Sequence, residues 1–167
     1  NMHTKVVYRS AKALRGIGCA VLRFNFRGVG GSDGTWDHGH GEMDDYRAGL
    51  HYVATRYPKT TIWAAGFSFG AWIALTVGSE HPRVNALVGI ATPTHYDTTV
   101  MQTSKKPKFL IHGERDQLIP LKAMWKFYSQ LLEPKELVVI DAADHLFNGK
   151  VGEVGDALDD LLGDFMI

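Results

Sequence analysis

A serine between two glycines is the first group in this chain with the type and spacing for chemistry. The run Gly-Phe-Ser-Phe-Gly at 66–70 lies between an apolar stretch at 62–65 and a helix-forming stretch at 71–75. This pattern predicts a sharp turn from a strand into a helix, with Ser68 at its tip and glycines where bulk would block the turn. Because the first N–H groups of a helix are unpaired, the Phe69 N–H is a candidate oxyanion donor. In the alternative interpretation, the glycines only let a strand pack against a helix, and Ser68 is a turn residue.

Two further side chains, Asp116 and His145, are candidates to activate Ser68. A serine hydroxyl becomes a nucleophile at neutral pH only when a base takes its proton, and that base needs a third group to orient it. Asp116 follows the apolar run at 109–111, and His145 follows the apolar run at 137–140. The carboxyl ends of successive strands in an open α/β sheet are where such proteins build their sites. We therefore predict Ser68 as nucleophile, His145 as base and Asp116 as the orienting acid.

Other carboxylates compete with Asp116 for this role. Asp141 and Asp144 lie close to His145 in sequence, but carboxylates in so tight a loop usually brace the loop itself. Glu114 is nearer the strand end, whereas the intervening loop favours turning Asp116 inward. Asp116 remains the preferred acid, with the other three as alternatives.

The remaining histidines have weaker patterns. His112 ends its predicted strand, and we expect it to be packed or hydrogen-bonded in a structural role. The cluster His38, His40 and Glu42 has the composition of a metal site, but its spacing in a glycine-rich loop matches no specific site type. We predict no metal and no cofactor.

A second glycine-rich segment, Arg-Gly-Val-Gly-Gly-Ser-Asp-Gly at 27–34, follows an apolar run at 20–24. Such a loop can cradle phosphate, but a dinucleotide-binding fingerprint needs a helix to open at the glycines. Here the loop continues, and the next helix is predicted to begin only near 42–45. Two interpretations stay open: the glycines serve loop geometry alone, or the loop forms one wall of a substrate cleft.

Predicted strands and helices alternate along the chain, which indicates an α/β fold with a mostly parallel sheet and helices on both faces. The predicted helices are at 4–15, 43–56, 69–78, 121–131 and 151–165, and the predicted strands are at 19–25, 61–65, 86–90, 108–111 and 136–140.

Length and charge narrow the classes of function. The 167 residues fit a single domain with a substantial core. Because the 18 acidic and 18 basic residues balance, no electrostatic argument favours nucleic acid or an anionic membrane as a partner. No apolar run reaches membrane-spanning length. The single cysteine, Cys19, is expected to be a buried, unreactive thiol, which favours a reducing, cytoplasmic setting.

The motifs together resemble the α/β-hydrolase superfamily, and within it the compact bacterial serine hydrolases without a lid, similar to esterases and dienelactone hydrolases. The segments that carry the resemblance are 24–32, which is the most specific, 66–70, 112–120 and 144–145. The resemblance implies an α/β-hydrolase fold, a Ser68, Asp116 and His145 triad, and hydrolysis of an ester, a thioester or an amide. The connection between the predicted strands at 86–90 and 108–111 is short where lipases of this fold insert a lid, so we expect an open cleft and a small or extended acyl substrate.

The chain departs from this resemblance at its beginning. Asn1 lies almost at the start of the first predicted helix, whereas the fold implies strands before that helix. One such strand would lie between the predicted strands at 19–25 and 61–65, and the second oxyanion donor would follow it. We expect the chain to be N-terminally incomplete, with a gap at this position in the sheet.

Two other functions remain possible from the sequence. A peptidase or amidase would use the same triad, because the residues that select the substrate are not assigned. A catalytically silent scaffold would keep the fold and bind a ligand or a partner. The number of subunits is not indicated by the sequence.

Overall fold

A sheet of four parallel strands forms the centre of the computed structural model, which describes residues 1–166. Its order follows the chain: β1 (Ile62–Phe67), β2 (Val84–Ile90), β3 (Lys108–Gly113) and β4 (Lys135–Ile140). β3 is buried along its whole length, and β2 is buried at every position except Asn85. Such continuous burial is what a parallel strand needs when helices cover both faces of the sheet.

The helices lie on both faces of this sheet. Alternate residues of β2 divide between two clusters of buried side chains, with Val88 in one and Leu87 in the other. The first cluster includes side chains of α1 (Lys5–Gly16) and α6 (Val151–Gly163), and the second includes side chains of α2 (His40–Arg56), α3 (Phe69–Glu80) and α5 (Leu121–Gln130). The short helix α4 (Thr99–Thr103) lies between β2 and β3, and a 3₁₀ turn (Asp164–Met166) follows α6. The predicted fold class, a parallel sheet with helices on both faces, is confirmed.

The predicted strand at 19–25 is wrong. This segment follows α1, but it forms no strand pairing with the rest of residues 1–166. A strand exists only where a neighbouring strand takes up its backbone hydrogen bonds, and none lies beside this segment in the described chain. The sequence also missed α4, and α2 begins at His40, before the predicted start at 43.

A groove separates the segment at 19–27 from the free edge of β1. It contains a cavity of about 390 Å³ that extends from Leu14 and Val21 up to Ser68 and Phe69, and a neighbouring cavity of about 360 Å³. The groove occupies the position where the resemblance implies a further strand. That the chain is N-terminally incomplete stays a prediction.

Candidate active site

Ser68 lies at the turn between β1 and α3, with backbone angles φ 53° and ψ −126°. A positive φ is unfavourable for a serine, so the surrounding hydrogen bonds must maintain it. The Ser68 N–H donates to the carbonyl of Ile90 at 2.8 Å, and the Ser68 carbonyl accepts from the N–H of Ala71 at 2.8 Å. One bond ties the turn to the neighbouring strand, and the other starts the helix. The predicted turn from strand to helix is therefore present.

The glycines of this turn have different roles. A Cβ atom at Gly66 would lie 2.1 Å from the carbonyl oxygen of Gly70, so no side chain fits there. At Gly70 the nearest atom to an added Cβ would belong to the ring of Phe26, at 3.7 Å, which is ordinary contact. The steric expectation is correct for Gly66 and wrong for Gly70, where a methyl group has room.

The structure brings together the three side chains predicted from the sequence. Ser68 Oγ and His145 Nε2 are 2.8 Å apart. His145 Nδ1 and Asp116 Oδ2 are 2.7 Å apart, and the Asp116 carboxylate is fully buried. Because a carboxylate can only accept, Nδ1 carries the proton and Nε2 is free to accept from the Ser68 hydroxyl. The three side chains thus form one continuous chain of hydrogen bonds.

The loop after β3 holds the Asp116 carboxylate in place. Its Oδ1 atom accepts from the backbone N–H groups of Leu118 at 2.9 Å and Ile119 at 2.8 Å. With His145 on Oδ2, three N–H groups fix the orientation of this carboxylate in a buried site. Its two oxygens therefore have separate functions: one anchors the loop, and the other faces the imidazole.

Two of the three rival carboxylates, Asp144 and Glu114, brace loops, as the sequence suggested for Asp141 and Asp144. Asp144 accepts from the N–H groups of Leu146 and Asn148, and the hydrogen bonds from Asn148 lower the pKa of Asp144. Glu114 accepts from the N–H of Ala142 at 2.7 Å, which ties the loop after β3 to the loop after β4. Both ring nitrogens of His145 are already engaged, so none of these carboxylates orients it.

The link from Glu114 to Ala142 could not be found from the sequence. Ala142 has a φ of 56°, and its partner lies 28 positions earlier in the chain. Alanine carries no signal for a positive φ, and a hydrogen bond between distant loops leaves no local pattern.

The Phe69 N–H begins α3 beside Ser68. In residues 1–166 this N–H has no hydrogen-bond acceptor. An unpaired N–H at the positive end of a 12-residue helix is a suitable donor to an anion. Phe69 therefore occupies the place that the sequence predicted for an oxyanion donor.

The glycine-rich loop lies against the same cavity. Arg27, Val29 and Trp36 line it together with Ser68. The Arg27 guanidinium donates to both oxygens of Asp45, with its shortest contact at 2.8 Å, and this hydrogen bond lowers the pKa of Asp45. The loop is tightly folded and borders this cavity, so the second interpretation of the glycines stays open, while the cavity itself includes the position where the resemblance implies a further strand. Nothing in the sequence marks Trp36 as a lining residue, since an isolated aromatic residue in a loop has no pattern.

The other histidines contribute no metal site. The ring of His38 lies against that of Trp36, with centroids 4.1 Å apart and planes tilted by 48°, and His112 is fully buried and bonded to the carbonyl of Ile119. Among residues 1–166, no three histidine, cysteine or acidic side chains lie where they could share a metal ion. Over the same residues, every helix is too short or too polar to cross a lipid bilayer.

The architecture is that of the α/β hydrolases, as similar proteins of known structure show. An α/β serine hydrolase homologue from Coxiella burnetii is 37% identical, with a TM-score of 0.91 over 97% of this chain and 78% of that chain. XC6422 of Xanthomonas campestris, an α/β serine hydrolase without a lid, is 35% identical, with a TM-score of 0.91 over 99% of this chain and 75% of that chain.

Within that class, residues 1–106 match the serine aminopeptidase family S33, and the chain belongs to this family. It is 35% identical to the uncharacterized protein RP471 of Rickettsia prowazekii (strain Madrid E), over 97% of this chain and 72% of that protein. It is 27% identical to YfhR of Escherichia coli (strain K12), where the match spans 80% of this chain and 56% of YfhR. The chain thus corresponds to little more than half of YfhR.

Proposed function

We propose that this chain is a serine hydrolase that cleaves a carboxylic ester or thioester through an acyl-enzyme on Ser68. The observation that carries the proposal is the continuous chain of hydrogen bonds from Ser68 through His145 to the buried Asp116. Each group has the partner that its role requires: the nucleophile contacts a base, and the base contacts an anion.

The first half of the reaction transfers the acyl group to the enzyme. Ser68 Oγ attacks the carbonyl carbon while its proton moves to His145 Nε2, and Asp116 stabilises the imidazolium that forms. The Phe69 N–H donates to the oxygen that becomes negative. When this intermediate collapses, the bond from carbon to the leaving oxygen or sulfur breaks. His145 then gives its proton to the leaving alcohol or thiol.

The second half releases the acyl group. His145 takes a proton from a water molecule, whose oxygen attacks the acyl carbon and forms a second oxyanion at Phe69. Collapse breaks the bond to Ser68 Oγ, which recovers its proton from His145. The products are an alcohol or thiol and a carboxylic acid, and the enzyme returns to its starting state.

An aminopeptidase is the second candidate function, because the family to which the chain belongs is described as serine aminopeptidases. An aminopeptidase must bind the ammonium group of its substrate, which calls for an unpaired carboxylate near the nucleophile. Among the described residues that line the cavity at Ser68, Glu42 is the one carboxylate. Glu42 is fully buried and accepts from the N–H of Asp37 at 2.7 Å. This arrangement favours an ester over a peptide substrate.

The test of the proposal is covalent labelling by a fluorophosphonate, read by intact-protein mass. We expect one adduct per chain, which Ser68→Ala abolishes and the matched control Ser129→Ala, at an exposed site on α5, retains. Unlabelled protein should hydrolyse p-nitrophenyl acetate and leave alanine p-nitroanilide intact, and labelling should abolish the hydrolysis of the ester. Labelling that survives Ser68→Ala would refute the assignment of the nucleophile, and a folded chain that is never labelled would favour the silent scaffold. Rapid cleavage of the anilide would favour the aminopeptidase.

A further inference from the structure

We propose that His112 is a positioning residue for Asp116. Its Nε2–H donates a hydrogen bond that fixes the loop carrying Asp116, so that the carboxylate stays oriented toward His145. The proposal rests on the proposed function, because it assigns His112 a role in the action of His145 as the base. The sequence indicated only a structural histidine at this position.

His112 connects the two ends of the loop that carries Asp116. It is the residue before the last of β3, where it is in register with Val139 of β4, so its backbone is fixed in the sheet. Its side chain is fully buried, and Nε2 lies 2.8 Å from the carbonyl oxygen of Ile119, at the far end of the loop. The N–H of the same Ile119 donates to Asp116 Oδ1 at 2.8 Å. One residue, Ile119, is therefore held by His112 through its carbonyl and holds Asp116 through its N–H.

His112 also lies beside the other oxygen of Asp116. Its Nε2 atom is 3.7 Å from Asp116 Oδ2, the oxygen that accepts from His145. This is too long for a hydrogen bond, but it places an N–H dipole next to the carboxylate. The contact to Ile119 is what sets the position of the loop, and the nearby N–H dipole lies beside the oxygen that faces His145.

The ring of His112 carries one proton, and that proton is on Nε2. Nε2 faces a carbonyl oxygen, which can only accept, while Nδ1 has no partner within residues 1–166. Burial lowers the pKa of His112, while the charge of Asp116 and the bond to Ile119 act in the opposite direction and His145 acts with burial. A neutral His112 steadies Asp116 without replacing His145 as its cationic partner.

Loss of the hydrogen bond from His112 to Ile119 should lower the rate of the chemical step more than it weakens substrate binding. His112 is buried behind Asp116, and it is not among the residues that line the cavity at Ser68. A shift of about 1 Å in a catalytic group can lower a rate by about 100-fold. If the loop relaxes, Oδ2 moves away from His145, and the protonated form of the base loses the anion that stabilises it.

The test compares His112→Leu, which removes the donor, with His112→Gln, which places an amide N–H near the position of Nε2. For His112→Leu we expect kcat/KM for p-nitrophenyl acetate to fall about 10- to 100-fold per titrated active site, mainly through kcat. The acid limb of the pH profile, where kcat/KM falls as the pH is lowered, should move to lower pH by about half a unit or more. His112→Gln should recover most of the rate. Fluorophosphonate titration, run to completion, gives the number of active sites.

Two further variants control for folding. His81→Leu removes a histidine at the opposite end of α3, about 20 Å from Ser68 along the helix, and should change neither rate nor profile. If His112→Leu does not fold, His112→Asn replaces it, because asparagine presents its amide near the Nδ1 position and cannot reach Ile119. The asparagine variant should then show the fall in rate expected for His112→Leu, and the glutamine variant should keep a rate close to that of the native chain.

An unchanged acid limb in His112→Leu, or equal rates in the asparagine and glutamine variants, would show that His112 only supports the fold. That result would leave the proposed function intact as long as Ser68→Ala abolishes labelling. Conversely, labelling that survives Ser68→Ala would remove the proposed function, whatever the histidine variants do. The two failures are therefore distinguishable.

Discussion

Asp116 shows how one residue can be selected from several that look alike. Four carboxylates lie in the loops after β3 and β4, and Asp116 is the one with an oxygen on His145. Its second oxygen is held by the N–H groups of Leu118 and Ile119. A carboxylate anchored in this way cannot turn away from the imidazole, which distinguishes it from a carboxylate that only caps its own loop.

We predict that Asp116→Asn lowers kcat/KM by about 100- to 10,000-fold while the chain stays folded. The amide oxygen can keep the bonds from Leu118 and Ile119, which turns the amide NH₂ toward His145. The imidazole must then accept on Nδ1 and carry its proton on Nε2, where it cannot receive the proton of Ser68. Rates on p-nitrophenyl acetate and the thermal unfolding midpoint are the measurements.

Asp144→Asn is the matched control for this prediction. Asp144 caps the loop through Leu146 and Asn148, and its side chain makes no hydrogen bond to the ring of His145, so the rate should stay close to that of the native chain. If Asp144→Asn were the variant that lost activity, the orienting acid would have to be reassigned.

The sequence could predict which three side chains the structure brings together because the rule behind their placement is local. Ser68, Asp116 and His145 each follow an apolar run that forms a strand, and parallel strands end at one edge of the sheet. The free space at Gly70 could not be predicted in this way, because it depends on where the ring of Phe26 lies. That ring comes from a segment far away in the chain.

At the scale of elements, the loop at 27–39 is fixed by its contacts with α2. The Arg27 guanidinium and backbone N–H both donate to Asp45, and the N–H of Asp37 donates to the buried Glu42. Trp36, which lines the cavity and is 58% exposed, is thus carried by a loop tied to a helix near both ends. This part of the cavity wall is set by packing between elements.

We predict that Asp45→Asn lowers the thermal unfolding midpoint at pH 7 and that this difference disappears in acid. The hydrogen bond from Arg27 lowers the pKa of Asp45 in the folded chain. A carboxyl group with a lowered folded-state pKa stabilises the fold fully above its unfolded-state pKa of about 3.9, and the stabilisation is lost as pH falls through the folded-state value. The measurement is the unfolding midpoint of both proteins between pH 7 and pH 3.

The neighbouring residue provides the control. Asp44 also pairs with an arginine, Arg47, but its side chain is 71% exposed, so Asp44→Asn should have little effect at any pH. A difference for Asp45→Asn that persisted undiminished at pH 3 would contradict an origin in the ionised carboxylate.

Strands and helices could be predicted where the sequence pattern that specifies them is local. β3 and β4 are short apolar runs bounded by polar loops, and their predicted positions agree with the structure to within two residues at each end. The segment at 19–25 is equally apolar but lacks a strand to pair with, and pairing is a property of the whole sheet. α4 has only five residues, too few to show the periodicity of a helix.

At the scale of the molecule, the connection from β2 to β3 determines access to Ser68. Residues 91–107 contain only the short helix α4, whose Met101 is buried in the cluster on the face of α3. A short connection whose helix packs against the rest of the protein is not a lid domain that could cover Ser68 and open at a lipid surface. In the described chain, Leu118 lies in the loop that carries Asp116 and Leu146 follows His145, and both leucines are exposed.

We therefore predict that the enzyme shows no interfacial activation. With a short-chain triglyceride such as tributyrin, the rate should rise smoothly and level off as the concentration passes the solubility limit, because no lid has to move before Ser68 is reached. Release of acid at constant pH measures the rate on both sides of that limit, with Ser68→Ala as the blank. A rate that stays near the blank below the limit and rises steeply when droplets form would mean that a part of the molecule closes over the site in water. The short connection between β2 and β3 would then not be what sets access.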